Sequence, residues 1–265
     1  MQIWNNDYLP HGRPMNLLKP WLAAFALTAL APAHAMAAQA QIAVAANFAE
    51  PIKAIAAVLE KTTGHTLSVT LGATGKLYAQ IKNGAPFDVL LAANTEVPLA
   101  LEKDGLATAG SNLTYARGKL VLWSANASLV DAKGEVLKGA GFRKLAYANP
   151  KTAPYGDAAM QTIAYLGLTS VLAPKLVQGE SIGQAFNFVH TGNAELGFVA
   201  LSQVLEGGKL KSGSMWLVPQ NLYQPIEQNT VLLKRGASNP AALALVKLLR
   251  SPATKDLIRS YGYDI

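Results

Sequence analysis

The sequence predicts an α/β protein of two lobes, each a mostly parallel sheet flanked by helices, with the chain crossing between the lobes twice. Three observations carry that prediction. Short apolar runs alternate with segments of helical periodicity, the pattern of successive βα units. The alternation restarts near residue 114 as a second series. A late strand-like run, "NTVLLK" (229–234), then returns after that series with no low-complexity linker in between.

Taken in order, "QIAVAA" (41–46) reads as a buried strand. In the following "EPIKAIAAVLEKTTG", Ile52, Ile55, Ala56 and Leu59 fall on one helical face, with Asn47 where a cap would sit and Gly64 as the stop. "TLSVTL" alternates as a strand does. "GATGKLYAQI" (72–81) then opens a helix bearing Leu77 and Ile81. The strand "FDVLLAA" (87–93) and a helix near 95–104 complete three βα units. The second series has strands near Lys119–Trp123 and Lys144–Ala148, a helix from about Asp157, a strand near Leu176, and a helix after Ser181. It closes with "LGFVA" (196–200), a helix from Ser202, and "SMWLV" (214–218). Two helices end the chain, the second with Ser251 as N-cap and Pro252 at its first position.

Residues 1–37 stand apart. Lys19, an apolar run from Trp21 to about Ala31, and small residues around Ala35 and Ala37 have the layout of an export leader preceded by a short extension, with translation expected to begin at Met15. The apolar run falls well short of the roughly 20 residues needed to span a membrane, so no membrane-spanning segment is expected. The chain has no cysteine, which removes thiol nucleophiles and Cys-ligated metals. Its formal charge of +7 suits an anionic ligand, yet the basic residues are scattered, without the clustering that nucleic acid would require. Catalysis is not expected: His65 and His190 belong to no metal-binding spacing, no G-x-S-x-G elbow is present, and the 16 acidic residues do not cluster.

The binding chemistry sits at four strand-to-helix junctions: "AANF" around Asn47, "GATGK" around Thr74, "NPKTAPYG" around Tyr155, and "GESIGQAF" around Ile182. "GATGK" is not a nucleotide loop, because its first glycine is too close and Leu77 stands where a metal-binding hydroxyl belongs. Each junction places small residues before the first turn of a helix. There the N–H groups have no intrahelical partner, and the dipole adds about half a positive charge. One such junction alone is an ordinary cap. Four that converge make a site for a small oxyanion without Arg or Lys. Asn47 has an amide and Thr74 a hydroxyl to offer, or either caps its helix; Tyr155 offers a backbone N–H, with its ring a lid or packing; Ile182 offers only its N–H. Lys76 is expected to face solvent and Asp157 to point outward.

The segments "AVAANF", "YAQIKNGAPFDVLLAAN", "GKLVLWSA", "NPKTAPYG", "ESIGQAF", "ELGFVAL" and "PATKDLIRSYGY" resemble the periplasmic molybdate-binding proteins of bacterial ABC importers, the ModA type, over essentially all of residues 38–265. The resemblance implies a type II periplasmic-binding fold, a Venus flytrap closing on molybdate or tungstate. Lobe I would comprise 38–117 and 224–265 and lobe II 118–223, with hinges near 115–119 and 219–229. It implies Ala46, Asn47, Thr74, Tyr155 and Ile182 as ligands through the oxo groups, with no direct metal contact and no cofactor. It implies a periplasmic monomer serving a membrane permease and its ATPase. Two positions depart from many members: Ala46 replaces a hydroxyl residue, and Ala200 replaces a tyrosine after the "GFV" strand. A sulfate, thiosulfate or other tetrahedral oxyanion carrier on the same fold stays open. Phosphate is disfavoured, because Glu180 and Asp157 are the only acids at the junctions to accept its proton.

Overall fold

The computed structural model describes residues 37–265; the leader expectation at 1–36 lies outside the described residues. In chain order the strands are β1 (Gln39–Ala45), β2 (Thr66–Gly72), β3 (Val89–Leu91), β4 (Leu113–Gly118), β5 (Leu120–Ser124), β6 (Leu145–Ala148), β7 (Leu176–Gly179), β8 (Leu196–Ala200), β9 (Leu205–Glu206), β10 (Lys209–Leu210), β11 (Ser214–Leu217) and β12 (Ile226–Leu232). The helices are α1 (Ala49–Thr63), α2 (Thr74–Lys82), α3 (Glu96–Lys103), α4 (Pro154–Tyr165), α5 (Thr169–Leu172), α6 (Ile182–His190), α7 (Leu201–Val204), α8 (Pro240–Leu249) and α9 (Pro252–Ser260).

Two five-stranded sheets result, ordered β2-β1-β3-β12-β4 and β11-β5-β8-β6-β7. In each, four strands run one way and one runs against them, β12 in the first and β5 in the second. The reversed strand is in both cases the one the chain enters on crossing from the other sheet. Helices cover both faces of the first sheet, so its central strands are apolar on both sides. Ile42, Val44, Val89 and Leu91 pack beneath α1, α8 and α9 against Ile52, Ile55, Leu245 and Ile258. The intervening Ala43 and Leu90 face Leu77, Ile81 and Leu101 of α2 and α3, as a period of two requires. The second sheet buries Leu120, Leu122, Leu145 and Phe198 with Ile163 of α4 and Val189 of α6.

The crossings lie side by side. Lys119 alone joins β4 to β5, and the return from β11 enters β12, whose Ile226 and Gln228 pair with Gly118 and Ala116 of β4. The C-terminal tail adds a third segment: Asp264 and Arg117 exchange backbone hydrogen bonds of 3.1 and 2.7 Å, and Lys119 pairs with the Asp264 carboxylate at 2.8 Å.

Several elements differ from the sequence reading, among them β4, a strand of the first sheet where the sequence placed the start of the second series. α4 begins three residues early because Pro154 occupies its first turn, where a missing N–H costs nothing. The helix expected from Ser202 lasts a single turn, and β9 and β10 then form a hairpin around Gly207 and Gly208, both at positive φ as a tight hairpin turn demands. β12 begins at Ile226, its polar Gln228 being accommodated by the network described next.

Candidate oxyanion site

The starts of α2, α4 and α6, and the short 3-10 turn Ala46–Phe48 that leads into α1, converge on one small cavity between the sheets. Its walls are Ala45, Ala46, Asn47, Gly72, Ala73, Thr74, Ala93, Ala153, Pro154, Tyr155 and Ile182. All five residues expected from the sequence are among them, and all are buried. None of the lining side chains carries a charge at neutral pH. Two larger grooves flank the cavity, one walled by Trp123, Phe186 and His190 and the other by Asn94, Pro150 and Gln161.

What the walls offer is hydrogen-bond donors. Among the described residues, the N–H groups of Asn47, Thr74, Tyr155 and Ile182 have no protein acceptor, as expected of first-turn positions. The Thr74 hydroxyl does not cap α2. It accepts the Ala93 N–H at 3.0 Å, which leaves its own proton free for a ligand. Ala46 brings only its backbone, and Gly183 of α6 packs so close that a Cβ there would lie 3.3 Å from the Ala46 methyl. Ala200 is fully buried outside the cavity and donates its N–H to Gln203 Oε1, so no ring enters from that strand.

Asn47 departs from one sequence expectation, that of a helix cap. It does not cap its helix, and its Nδ2 donates instead to Gln228 Oε1 (2.8 Å) and the Tyr263 hydroxyl (3.0 Å). Its Oδ1 is buried without a donor among the described residues. Its carbonyl accepts from Ser202 Oγ (2.8 Å) and the Tyr263 hydroxyl (2.9 Å). The Tyr155 ring is no solvent-facing lid: it is 1% exposed, and its hydroxyl accepts from Gln228 Nε2 at 3.1 Å. Gly118 makes room for it, since a Cβ there would fall 1.9 Å from that oxygen. Tyr115 completes the network, 3.0 Å from both Gln228 Oε1 and the Ala92 carbonyl. Burial pushes the Tyr263 phenol up to about 12 and holds Tyr115 and Tyr155 well above the usual phenol value. All three stay neutral at physiological pH.

Sequence reasoning missed Ala93, Tyr115, Ser202, Gln228 and Tyr263. The one local signal was Gln228, a polar residue fully buried within β12. Around the rim, Lys76 of α2 pairs with Glu180 before α6 at 2.5 Å, bridging the sheets rather than facing solvent alone. Asp157 is exposed and accepts from Gln161 Nε2 (2.6 Å), pointing outward as expected. A direct backbone contact across the cleft is made by Gly75, whose N–H donates to the Thr152 carbonyl at 2.9 Å. A Cβ on Gly75 would lie 3.1 Å from Thr152 Cα and 3.3 Å from its Cβ.

Comparison with known proteins agrees with this architecture. The family model described as "Bacterial extracellular solute-binding protein" matches residues 40–264. A molybdate-binding protein ModA of Azotobacter vinelandii is 57% identical over 231 residues, covering 87% of this chain and 92% of that protein. The ModA of Rhodobacter capsulatus is 50% identical over 229 residues, covering 86% and 89%. The solved periplasmic molybdate-binding protein of A. vinelandii superposes with a TM-score of 0.83 at 40% identity, covering 85% of this chain and 99% of that one. With a model matching nearly all the described residues and relatives of this identity, the chain belongs to the bacterial extracellular solute-binding protein family.

Proposed function

We propose that the protein captures molybdate, or tungstate, in the periplasm and delivers it to an ABC import permease with its cytoplasmic ATPase. The observation that carries this is the convergence of four helix starts, with their unpaired N–H groups, on one small uncharged cavity. The names of the relatives at 57% and 50% identity support the choice of oxyanion. Ala46, Asn47, Thr74, Tyr155 and Ile182 hold the oxo groups. Thr74 acts through hydroxyl and backbone, and Ala46, Tyr155 and Ile182 through their backbones. A dianion sheds a large hydration energy on entering such a site, and fixed neutral dipoles replace the water. Each charge-assisted bond contributes about 1.5–3 kcal/mol net. Donors set for a large tetrahedral ion cannot contract around sulfate without stretching beyond about 3.2 Å.

Lobe I in this reading is 38–117 with 224–265, and lobe II is 118–223. They open and close by bending at the paired crossings, 115–119 and 219–229. The protein works as a monomer, exported through a leader that is then removed. Among the described residues, no helix is long and apolar enough to cross a membrane.

The test is calorimetric titration of residues 38–265, stripped of ligand by unfolding and refolding, with molybdate, tungstate, sulfate and phosphate. One-to-one binding of the first two, with sulfate weaker by orders of magnitude, is expected. Binding of sulfate or phosphate alone would overturn the metal-oxyanion assignment.

A further inference from the structure

We propose that Gln228 sets the hydrogen-bond polarity of the oxyanion site, by deciding which atom of the Asn47 amide faces the ligand. This rests on the oxyanion reading above. In the arrangement described, both Asn47 Nδ2 protons are committed to Gln228 Oε1 and Tyr263. Asn47 is 2% exposed and lines the cavity, yet its Oδ1 has no donor among the described residues. An unpaired acceptor beside a dianion costs twice, through its own desolvation and through repulsion.

Exchanging oxygen and nitrogen in both amides together removes the conflict. Gln228 Nε2 then donates to Asn47 Oδ1 and to the Tyr115 hydroxyl, and Tyr115 donates to the Ala92 carbonyl already 3.0 Å away. Gln228 Oε1 accepts from the Tyr155 hydroxyl across the 3.1 Å contact. Tyr263 donates to Asn47 Oδ1, while Ser202 keeps the Asn47 carbonyl. Every group in the network is satisfied, and Asn47 Nδ2 is free to donate to the ligand. The two amides must turn together, because either one alone would set oxygen against oxygen or nitrogen against nitrogen. The donor-out arrangement takes a fully deprotonated oxyanion. The acceptor-out arrangement asks the ligand for a proton. Gln228 is thus a positioning residue: it acts through Asn47 without contacting the ligand.

The substitution Gln228→Glu tests this, because a protonated carboxyl still donates to Asn47 Oδ1 and a carboxylate only accepts. The titratable groups around residue 228 are the phenols of Tyr115, Tyr155 and Tyr263. Beyond them on β4, β12 and the tail lie the exposed Arg117–Glu227 and Lys119–Asp264 pairs. Molybdate is titrated from pH 5 to pH 9 into the wild-type protein, Gln228→Glu, and Gln228→Glu combined with Asn47→Ala. Wild-type affinity is expected to stay level, that of Gln228→Glu to fall more than tenfold as pH rises, and the double variant to bind weakly with that slope gone. A slope that persists without the Asn47 amide is carboxylate repulsion alone and overturns the proposal, as does a Gln228→Glu protein that matches wild type throughout. If Gln228→Glu does not fold, side-chain ¹⁵N amide NMR of the wild-type protein decides: the Asn47 and Gln228 NH₂ signals are expected to move together on adding molybdate, and movement of Asn47 alone overturns the relay. Wild-type protein that binds none of the four oxyanions removes the oxyanion reading itself, a different failure from any seen in the variants.

Discussion

In the proposed site Thr74 uses one hydroxyl in two directions: its oxygen takes the Ala93 N–H, and its proton is left for the ligand. Thr74→Ser preserves both and is expected to bind molybdate within about threefold of wild type. Thr74→Val keeps the shape, loses both bonds, and should weaken binding roughly tenfold to a hundredfold, read by titration, in line with about 1.5–3 kcal/mol for a bond to a charged group. The places of Thr74, Tyr155 and Ile182 on the cavity wall were legible from sequence because a first-turn position follows from local pattern alone. The role of the Asn47 side chain was not. Its partners Gln228 and Tyr263 stand 181 and 216 residues away, and no local rule links an amide to a strand and a tail so distant.

Among the elements, α2 carries the approach that brings the sheets together. Gly75 has ordinary helical backbone, so its lack of a side chain matters for space: a methyl there would press on Thr152 at 3.1 Å. Gly75→Ala is expected to leave the melting temperature of the ligand-free protein within about 2 °C, while weakening molybdate binding about tenfold, chiefly through faster dissociation in stopped-flow displacement. Lys76 and Glu180 are about half exposed, so their pair adds little static stability. Most elements could be read from their 3.6 and 2.0 periods. The β9–β10 hairpin escaped because its strands are two residues each, too short for any period to show, though Gly207-Gly208 marked the turn. The reversed direction of β5 and β12 could not be read either, since strand polarity depends on where the chain crosses.

For the whole molecule, the cavity walls and the network behind them contain no group that titrates near neutrality, so molybdate affinity is expected to be level from pH 6 to pH 9. Stability should break above that range. An unfolded tyrosine titrates near 10, whereas Tyr263 is pushed up to about 12 by burial. Between those values the unfolded chain releases a proton that the folded chain keeps. Stability therefore stays full below about pH 10 and falls as pH rises, by about 1.4 kcal/mol per unit for each such phenol. Urea midpoints measured from pH 7 to pH 11.5 should be flat and then drop. Ligand acts in the opposite sense: molybdate at a hundred times its Kd should add about 2.7 kcal/mol, raising the melting temperature by roughly 5–10 °C.

The contact between Gly75 and Thr152 also offers a handle for engineering. A Cβ at residue 75 would stand 3.3 Å from that of residue 152, close to the roughly 3.5–4.5 Å span of a disulfide, and the chain contains no other thiol to compete. Paired cysteines at these two positions would turn a carrier that gives up its cargo into a redox-gated cage, which holds the ion when oxidised and lets it go when a reductant is added.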